Sequence, residues 1–457
     1  GWMACLGPIT AANLAALLGL AETTVEAALY RLEMDGIVLQ GTFLPPRAAN
    51  PESGPQPAVK PDWCERRLLA RIHRLTVGRL RKEIEAVSPA DFVRFLLRWQ
   101  HVDAEGRMAG REGVLRIIEQ LQGLELPAPA WEASVLPARL RHYDAGEFEH
   151  VCLSGEVAWG RLRWQPAPEA DEDEAEPARR RRVAPTRAAP LAFCRREDLP
   201  RLLEPAPDEA ALVAGLSGAA TEVYAFLRAS GASFLVDIAR AIDRVPAQTE
   251  EALWELVARG LVTGDGIAGL RGLLRPEAES TGRRGLRGIR GGAARRLVPV
   301  GRWAVLRPAA TPAPERDGVE WFARQLLQRW GVLLRELLAR ETRAPRWREL
   351  LPVLRRMEAR GEIRGGRFVS GFVGEQFALP EAVDTLRAVR RKPGDGETVI
   401  VAAADPLNLV GIIVPGQRLS PFVQQFIAYE NGAAVAVGTM AEITSHMARA
   451  AAEGKAG

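Results

Sequence analysis

The sequence predicts a mainly α protein with small β parts: tandem winged helix-turn-helix domains and a small C-terminal β subdomain. Three observations carry this. First, one pattern recurs, in which a helix ends in a glycine and a short apolar strand follows. It is clear at Leu32 to Val38, Leu256 to Val262 and Met357 to Ile363, and weaker at Leu121 to Leu124 and Leu153 to Val157. Glycine suits the residue after a helix because it enters the left-handed region without a Cβ penalty. Second, another helix and a turn precede each clear instance, giving helix, turn, helix, ribbon. Third, after Arg391 the texture changes to short apolar runs separated by Pro or Gly. The length of 457 residues exceeds what one core supports, since single cores stop growing near about 250–300 residues.

The elements follow in order. Ile9-Thr10 precedes an amphipathic helix over Ala11 to Leu18, Gly19-Leu20 turns, and a second helix runs from Glu22 to Met34. Strands are expected at Ile37 to Leu39 and Gly41 to Leu44, completing a winged helix over 1–47. A Pro-rich break covers Pro45 to Pro61. The segment 61–126 is a helical, winged-helix-like domain without an obvious wing. In it Ser88 caps, Pro89 occupies the first turn and Asp91 favours the positive helix end. A short helix-strand module occupies 127–165. A charged linker at 166–206 carries an acidic run from Glu169 to Glu176, then Arg179 to Arg182. Such segregated charge cannot bury itself, so disorder is expected. The next winged helix, 207–275, has helices over Phe234 to Ile242 and Pro246 to Arg259. An Arg/Gly-rich linker fills 276–300, with six Arg, five Gly and no acid between Ser280 and Arg296. The basic winged helix, 301–392, has helices over Val332 to Arg340 and Arg346 to Arg360, then Ile363 and Phe368-Val369. The β subdomain and tail, 393–457, expects strands at Thr398 to Ala402, Val410 to Val414 and Ala433 to Val437.

Composition excludes several classes. No run of about 18 uncharged apolar residues exists, so no membrane span is expected. The net charge is +4, and 57 of the 61 basic residues are Arg, a skew that fits a GC-rich genome better than a function. The four cysteines, Cys5, Cys64, Cys152 and Cys194, lie far apart, which suits a reducing cytoplasm and no disulfide framework. The five histidines form no zinc-binding pattern, so no metal is expected. No G-x-x-x-x-G-K-[ST] occurs, so this chain alone should not hydrolyse ATP, and no G-x-S-x-G marks a nucleophile. The first residue is Gly, and the chain reads as a fragment of something longer.

Charge then ranks the helices as nucleic-acid readers, because phosphate contact dominates affinity. Glu22 to Gln40 carries a net −3 and Gln248 to Val262 a net −2, whereas Arg343 to Arg367, with eight Arg and three Glu, carries +5. The expected DNA contacts are therefore Arg346, Arg348, Arg355 and Arg356 on the helix and Arg364 and Arg367 at the wing. Trp347 is the candidate for stacking on a base. Arg283, Arg284, Arg287 and Arg290 of the Arg/Gly-rich segment could hold a strand electrostatically. The competing reading is a solvated face and a solubilising linker in an Arg-rich protein. Trp99-Gln100-His101 reads as a core Trp and a helix-capping His, and Asp405-Pro406-Leu407-Asn408 as a turn.

Several longer blocks resemble the large helicase-related (Lhr) proteins of bacteria. They are Gly7-Pro8-Ile9-Thr10, Trp63 to Arg74, Ser88 to Phe92, Leu97 to Val102, Cys152 to Leu162, Gly374 to Val383 and Ala403 to Gly411. The blocks are similar to the C-terminal extension of the long form, beyond its two motor domains. The resemblance implies an ATP-dependent superfamily-two DNA helicase of DNA repair, with ATP and Mg in an N-terminal motor of the same polypeptide and no cofactor in this chain. It also implies DNA as partner, self-assembly into a homo-oligomer, no membrane, and a likeness to winged-helix DNA glycosylases with which uracil excision is linked. Three hypotheses result: a DNA-binding and assembly region, a glycosylase module and a protein-only scaffold. A glycosylase needs a pocket for a flipped base and a group to activate water or stabilise a cation. His101, Asp103 and Asp405 are the residues to test for it.

Overall fold

The computed structural model describes residues 2–43, 61–82, 85–165, 189–205, 209–274, 301–307, 318–392, 394 and 396–453. They belong to two compact units, Gly1–Glu85 and Ala86–Gly457.

In the first unit, Thr10 is extended and its hydroxyl accepts the Asn13 N–H at 3.3 Å, starting the helix Ala11–Leu18. Gly19 ends it at φ 68°, and the chain turns through 116° into the helix Glu22–Met34. That angle belongs to helix-turn-helix geometry. No single described helix is long and apolar enough to cross a membrane. Leu14, Val25, Leu29, Val38 and Trp63 form the core. The sheet differs from expectation. Its central strand is Asp62–Glu65, paired antiparallel with both Ile9–Thr10 and Val38–Gly41. The winged helix therefore extends beyond 1–47, across the Pro-rich break, and continues into a helix at Arg66–Lys82.

The second unit holds three more winged helices, each with strand order first, third, second. One has the helix Gly110–Leu121, strand Leu126–Pro127, a helical run over 128–139, helix Ala145–Leu153 and strands Val157–Gly160 and Pro190–Arg195. The next has Gly218–Ser230, Ser233–Phe234, Leu235–Ala241, Pro246–Arg259, Val262–Gly264 and Arg302–Val305. The last has Gly318–Trp330, Val332–Leu333, a short 3₁₀ segment Arg335–Arg340, Trp347–Ala359, Arg364–Gly366 and Gln376–Ala378. The five glycines of the recurring pattern, Gly36, Gly123, Gly155, Gly260 and Gly361, all have positive φ between 68° and 93°.

Two expected boundaries are corrected by strand register. Val157 to Gly160 pairs with Ala192 to Arg195, so the charged segment at 166–206 interrupts a winged helix instead of separating domains. Likewise Val262 to Gly264 pairs with Trp303 to Val305, so 276–300 lies within one sheet's connection and 301–305 belongs with 207–275. The expected disorder of 166–188 lies outside the described residues. The domain at 61–126 is divided: Asp62–Lys82 joins the first unit, and Gly110–Leu121 is the first helix of the winged helix that contains 127–165. The physical reason is loop entropy. Closure cost rises only logarithmically with length, so two strands can pair across a long connection that local periodicity cannot see.

The C-terminal sheet is antiparallel in sequence order, Thr398–Ala402, Phe426–Glu430 and Ala433–Gly438, followed by the helix Met440–Glu453. Val410 to Val414 is not a strand of this sheet; its ends meet in an isolated bridge. Phe368-Val369 likewise lies in the wing, and Gln376–Ala378 is the strand that completes that sheet. The helix Pro89–Trp99 packs centrally. Ser88 caps it as expected, its hydroxyl accepting the Asp91 N–H at 3.1 Å.

Gly331 shows how tightly this helix seats. Its φ is 65°, and a Cβ there would lie 2.6 Å from Phe95 Cζ and 2.9 Å from Trp99 Cε2. Gly331→Ala therefore adds both backbone strain and an overlap with two rings. We expect a loss of about 2–4 kcal/mol, read from the urea midpoint of the full chain. A change below about 0.5 kcal/mol would show that the two helices can part to admit a methyl group.

Candidate nucleic-acid interface

The basic surface is built on the helix Trp347–Ala359. Glu349 accepts the Arg346 N–H at 3.0 Å, closing the first turn. Leu350, Val353, Leu354 and Met357 face the core at helical spacing. That leaves Arg348, Arg355 and Arg356 on the solvent side, with Arg346 exposed at the entry. Arg364 and Arg367 are exposed on the ribbon that follows.

Pairing divides these residues. Arg355 donates through Nε and Nη2 to Glu375 Oε2 (2.9 and 2.6 Å), which ties the helix to the base of the wing. Arg348 approaches Glu349 only at 4.0 Å. Arg346, Arg356, Arg364 and Arg367 form no ion pair among the described residues. Trp347 is half-buried, its ring tilted against Phe377 with centroids 6.5 Å apart, so a large part of its indole faces protein. Two arginines in the +5 count point elsewhere. Arg343 donates to the Leu202 carbonyl at 3.0 Å, and Arg360 pairs with Glu320 and Glu362. Hydrogen bonds from Arg324 hold the Glu320 carboxyl below its ordinary range, and those from Arg360 do the same for Glu362. Arg283, Arg284, Arg287 and Arg290 lie outside the described residues.

Sequence reasoning missed what fixes the wing. The buried amide of Gln376 accepts from Phe368 N and Val369 N (2.7 and 2.8 Å) and donates to the Val369 carbonyl (2.9 Å). On the other side Val87 N donates to Phe368 O and Ser370 N to Val87 O, at 2.8 and 2.9 Å. The wing beyond is therefore anchored at its base, and its tip carries exposed Val373 between Gly371 and Gly374. An anchored ribbon with a small apolar tip can enter a groove without first being ordered. Nothing in local spacing marks Gln376 for this role.

The other candidate residues are dispersed. His101 takes φ 62° as the left-handed residue that leaves the helix, and its Nδ1–H donates to the Gly106 carbonyl at 3.1 Å. Burial pushes its pKa down. Asp103 accepts the Gly106 N–H at 2.9 Å, and burial pushes its carboxyl up. Asp103 also lines a cleft of about 430 Å³ between the helices Pro89–Trp99 and Pro380–Arg391 and the C-terminal sheet. Arg94, Arg98 and Lys392 line it too, together with the acidic Glu105, Asp384 and Glu397. Asp405 is not part of this cleft. It is 1% exposed and forms a bidentate pair with Arg139, at 2.7 and 2.9 Å. Arg139 also donates to Gln100 Oε1 at 3.1 Å, and Gln100 in turn donates to the Arg329 carbonyl at 3.1 Å. A carboxylate so placed holds segments together and has no route to a substrate.

Comparison with known proteins bears on the same segments. Residues 87–175 and 311–398 match models described as large helicase-related protein, winged-helix domain, the third and the fourth of that series respectively. The first match starts at 87 and so joins helices and strands that periodicity alone had separated. The chain is 30% identical over 433 residues to the "Lhr helicase/ probable uracil glycosylase" of Mycolicibacterium smegmatis. It is 27% identical over 443 residues to the "Lhr helicase/uracil glycosylase" of Escherichia coli K12. Each alignment takes in 89% of this chain and 26% of the relative, so the chain spans about a quarter of the length of the curated relatives it matches.

Proposed function

This chain belongs to the large helicase-related family, within its C-terminal region, and from that premise we propose that it is the DNA-binding and assembly region of an ATP-dependent superfamily-two helicase. In this reading the motor, with its ATP and Mg, is an N-terminal part of the same polypeptide. The whole serves DNA repair in the cytoplasm as a homo-oligomer. The observation that carries the DNA contact is the set of four exposed arginines without ion-pair partners among the described residues, on the helix and ribbon of the last winged helix. A helix of this type lies in a groove with its ribbon against the backbone, and guanidinium groups suit phosphate through forked donors.

A second reading is base excision, favoured by a specific feature. The cleft sets the half-buried carboxylate of Asp103 beside cationic and amide side chains, with the exposed Glu105, Asp384 and Glu397 also lining it, a combination able to receive an extruded base and steady charge developing on its sugar.

One experiment addresses both. Fluorescent single-stranded and duplex DNA, including a uracil-containing duplex, is titrated with the purified chain across a salt series, then treated with alkali. Tight binding that weakens steeply with salt, without strand breaks, is expected for the first reading. Uracil-dependent breaks that vanish in Asp103→Asn would establish the second. Neither binding nor breaks at low salt would remove both and leave a protein-only scaffold.

A further inference from the structure

The repeated architecture permits a position-by-position comparison of the four winged helices, each aligned on the glycine that follows the helix before its second strand. Three positions, six and two before that glycine and one after it, share one face. In the winged helix ending at Gly260 they are Trp254, Ala258 and Leu261, exposed by 3%, 5% and 0%. The winged helix that precedes it in sequence covers them. Trp159, from that neighbour's second strand, stacks on Trp254 with centroids 6.5 Å apart and planes at 25°. Arg161 then donates to the Ala258 carbonyl at 2.7 Å, and a Cβ on Gly260 would meet the Arg161 and Arg163 carbonyls at 3.1 and 3.0 Å.

In two other winged helices the outer two positions are charged: Glu149 and Glu156 in one, where Glu149 accepts from Ile267 N and Arg271 of the winged helix that follows, and the exposed Arg355 and Glu362 in the other. The first winged helix breaks that rule. Its three residues are Tyr30, Met34 and Ile37, and they are exposed by 52%, 89% and 45%. The aromatic arrangement beneath is already formed. Tyr30 meets Trp63 edge-on at 5.2 Å and 88°, just as Trp254 meets Trp303 at 5.3 Å and 88°. Where Trp159 completes the second of these pairs, the first has no third ring among the described residues.

We infer that the Tyr30–Met34–Ile37 face is the seat of another winged-helix domain, one that precedes it in the same, longer polypeptide. That domain sets an aromatic side chain of its second strand against Tyr30, as Trp159 is set against Trp254. An apolar face of this kind is retained on a soluble array when a neighbour covers it. The occupant's kind follows from the internal repeat, and its order from the aromatic contact at Trp254, where the added ring comes from the earlier winged helix. The family series agrees: the winged helix matched at 87–175 is the third, and one described winged helix stands before it in this chain. The inference does not depend on DNA binding.

The test places a photo-crosslinking benzoylphenylalanine at position 34 of the full-length protein, with position 373, another exposed apolar site, as control. Irradiated products are sized on a denaturing gel and mapped by mass spectrometry. Met34 is almost wholly exposed, so folding is not at stake. The expected product is intramolecular and joins position 34 to a winged-helix strand outside these 457 residues, at a yield several-fold above the control. Adding Tyr30→Glu should reduce that yield several-fold. Links to a second copy, to residues 86–457 or to the motor would overturn the proposal, as would a yield no greater than at position 373.

Discussion

Asp405→Ala is expected to destabilise the unit Ala86–Gly457 by about 3–5 kcal/mol, among the largest effects of any single substitution in this chain. The reason is what it leaves behind. Arg139 is fully buried, and Asp405 satisfies both of its Nη groups. Its Nε already lacks a hydrogen-bond partner. Without the carboxylate, Gln100 Oε1 and the Val135 carbonyl alone would face a buried cation. One more contact fails with it, since Asp405 Oδ1 also accepts the Leu407 N–H at 2.9 Å, whereas the bond from Arg340 to the main-chain carbonyl of residue 405 is kept. Urea unfolding followed by tryptophan fluorescence measures the cost. Pairing the change with Arg139→Met should restore part of the stability, because a buried charge pair and an apolar pair of similar volume often differ little. A single-variant loss below about 1 kcal/mol would mean that water reaches Arg139 on substitution, and that the pair is not the lock proposed.

The second large effect concerns DNA. Replacing Arg346, Arg356, Arg364 and Arg367 together by Ala should lower affinity for duplex by about three decades near 0.1 M salt. It should also flatten the slope of log K against log salt by about 3 to 4, since each phosphate contact contributes about 0.9. These exposed residues form no ion pairs among those described, so the melting midpoint should scarcely move. Arg355→Ala is the informative contrast. Its guanidinium is held by Glu375, so its removal should change the slope by much less than one contact. An unchanged slope in the fourfold variant would move the DNA contact elsewhere, or remove it.

Both predictions mark how far the sequence could be read. Helix ends were legible because their signals are local: Ser88 before Pro89, and the glycines at 36, 260 and 361, act within one turn. The central strands Asp62–Glu65, Pro190–Arg195 and Arg302–Val305 were not. Each is short, and each pairs with residues separated from it by a long connection. At the candidate interface the excess of arginine was visible, but its division was not. Arg343, Arg355 and Arg360 look like their neighbours in sequence, and only tertiary structure shows which carboxylate or carbonyl each has found. The pair Arg139 and Asp405, 266 positions apart, leaves no local mark at all, so Asp405 read as a turn residue.

The register between Val157–Gly160 and Pro190–Arg195 has a consequence for how such proteins vary. The two strands hold each other through the ladder and through a core that includes Trp159 and Phe193. Doubling the length of the stretch between them would cost only about 0.6 kcal/mol in closure entropy. The connection is therefore a port at which cargo of almost any size can be spliced in, and relatives can lengthen, recharge or replace it while the scaffold around it stays the same.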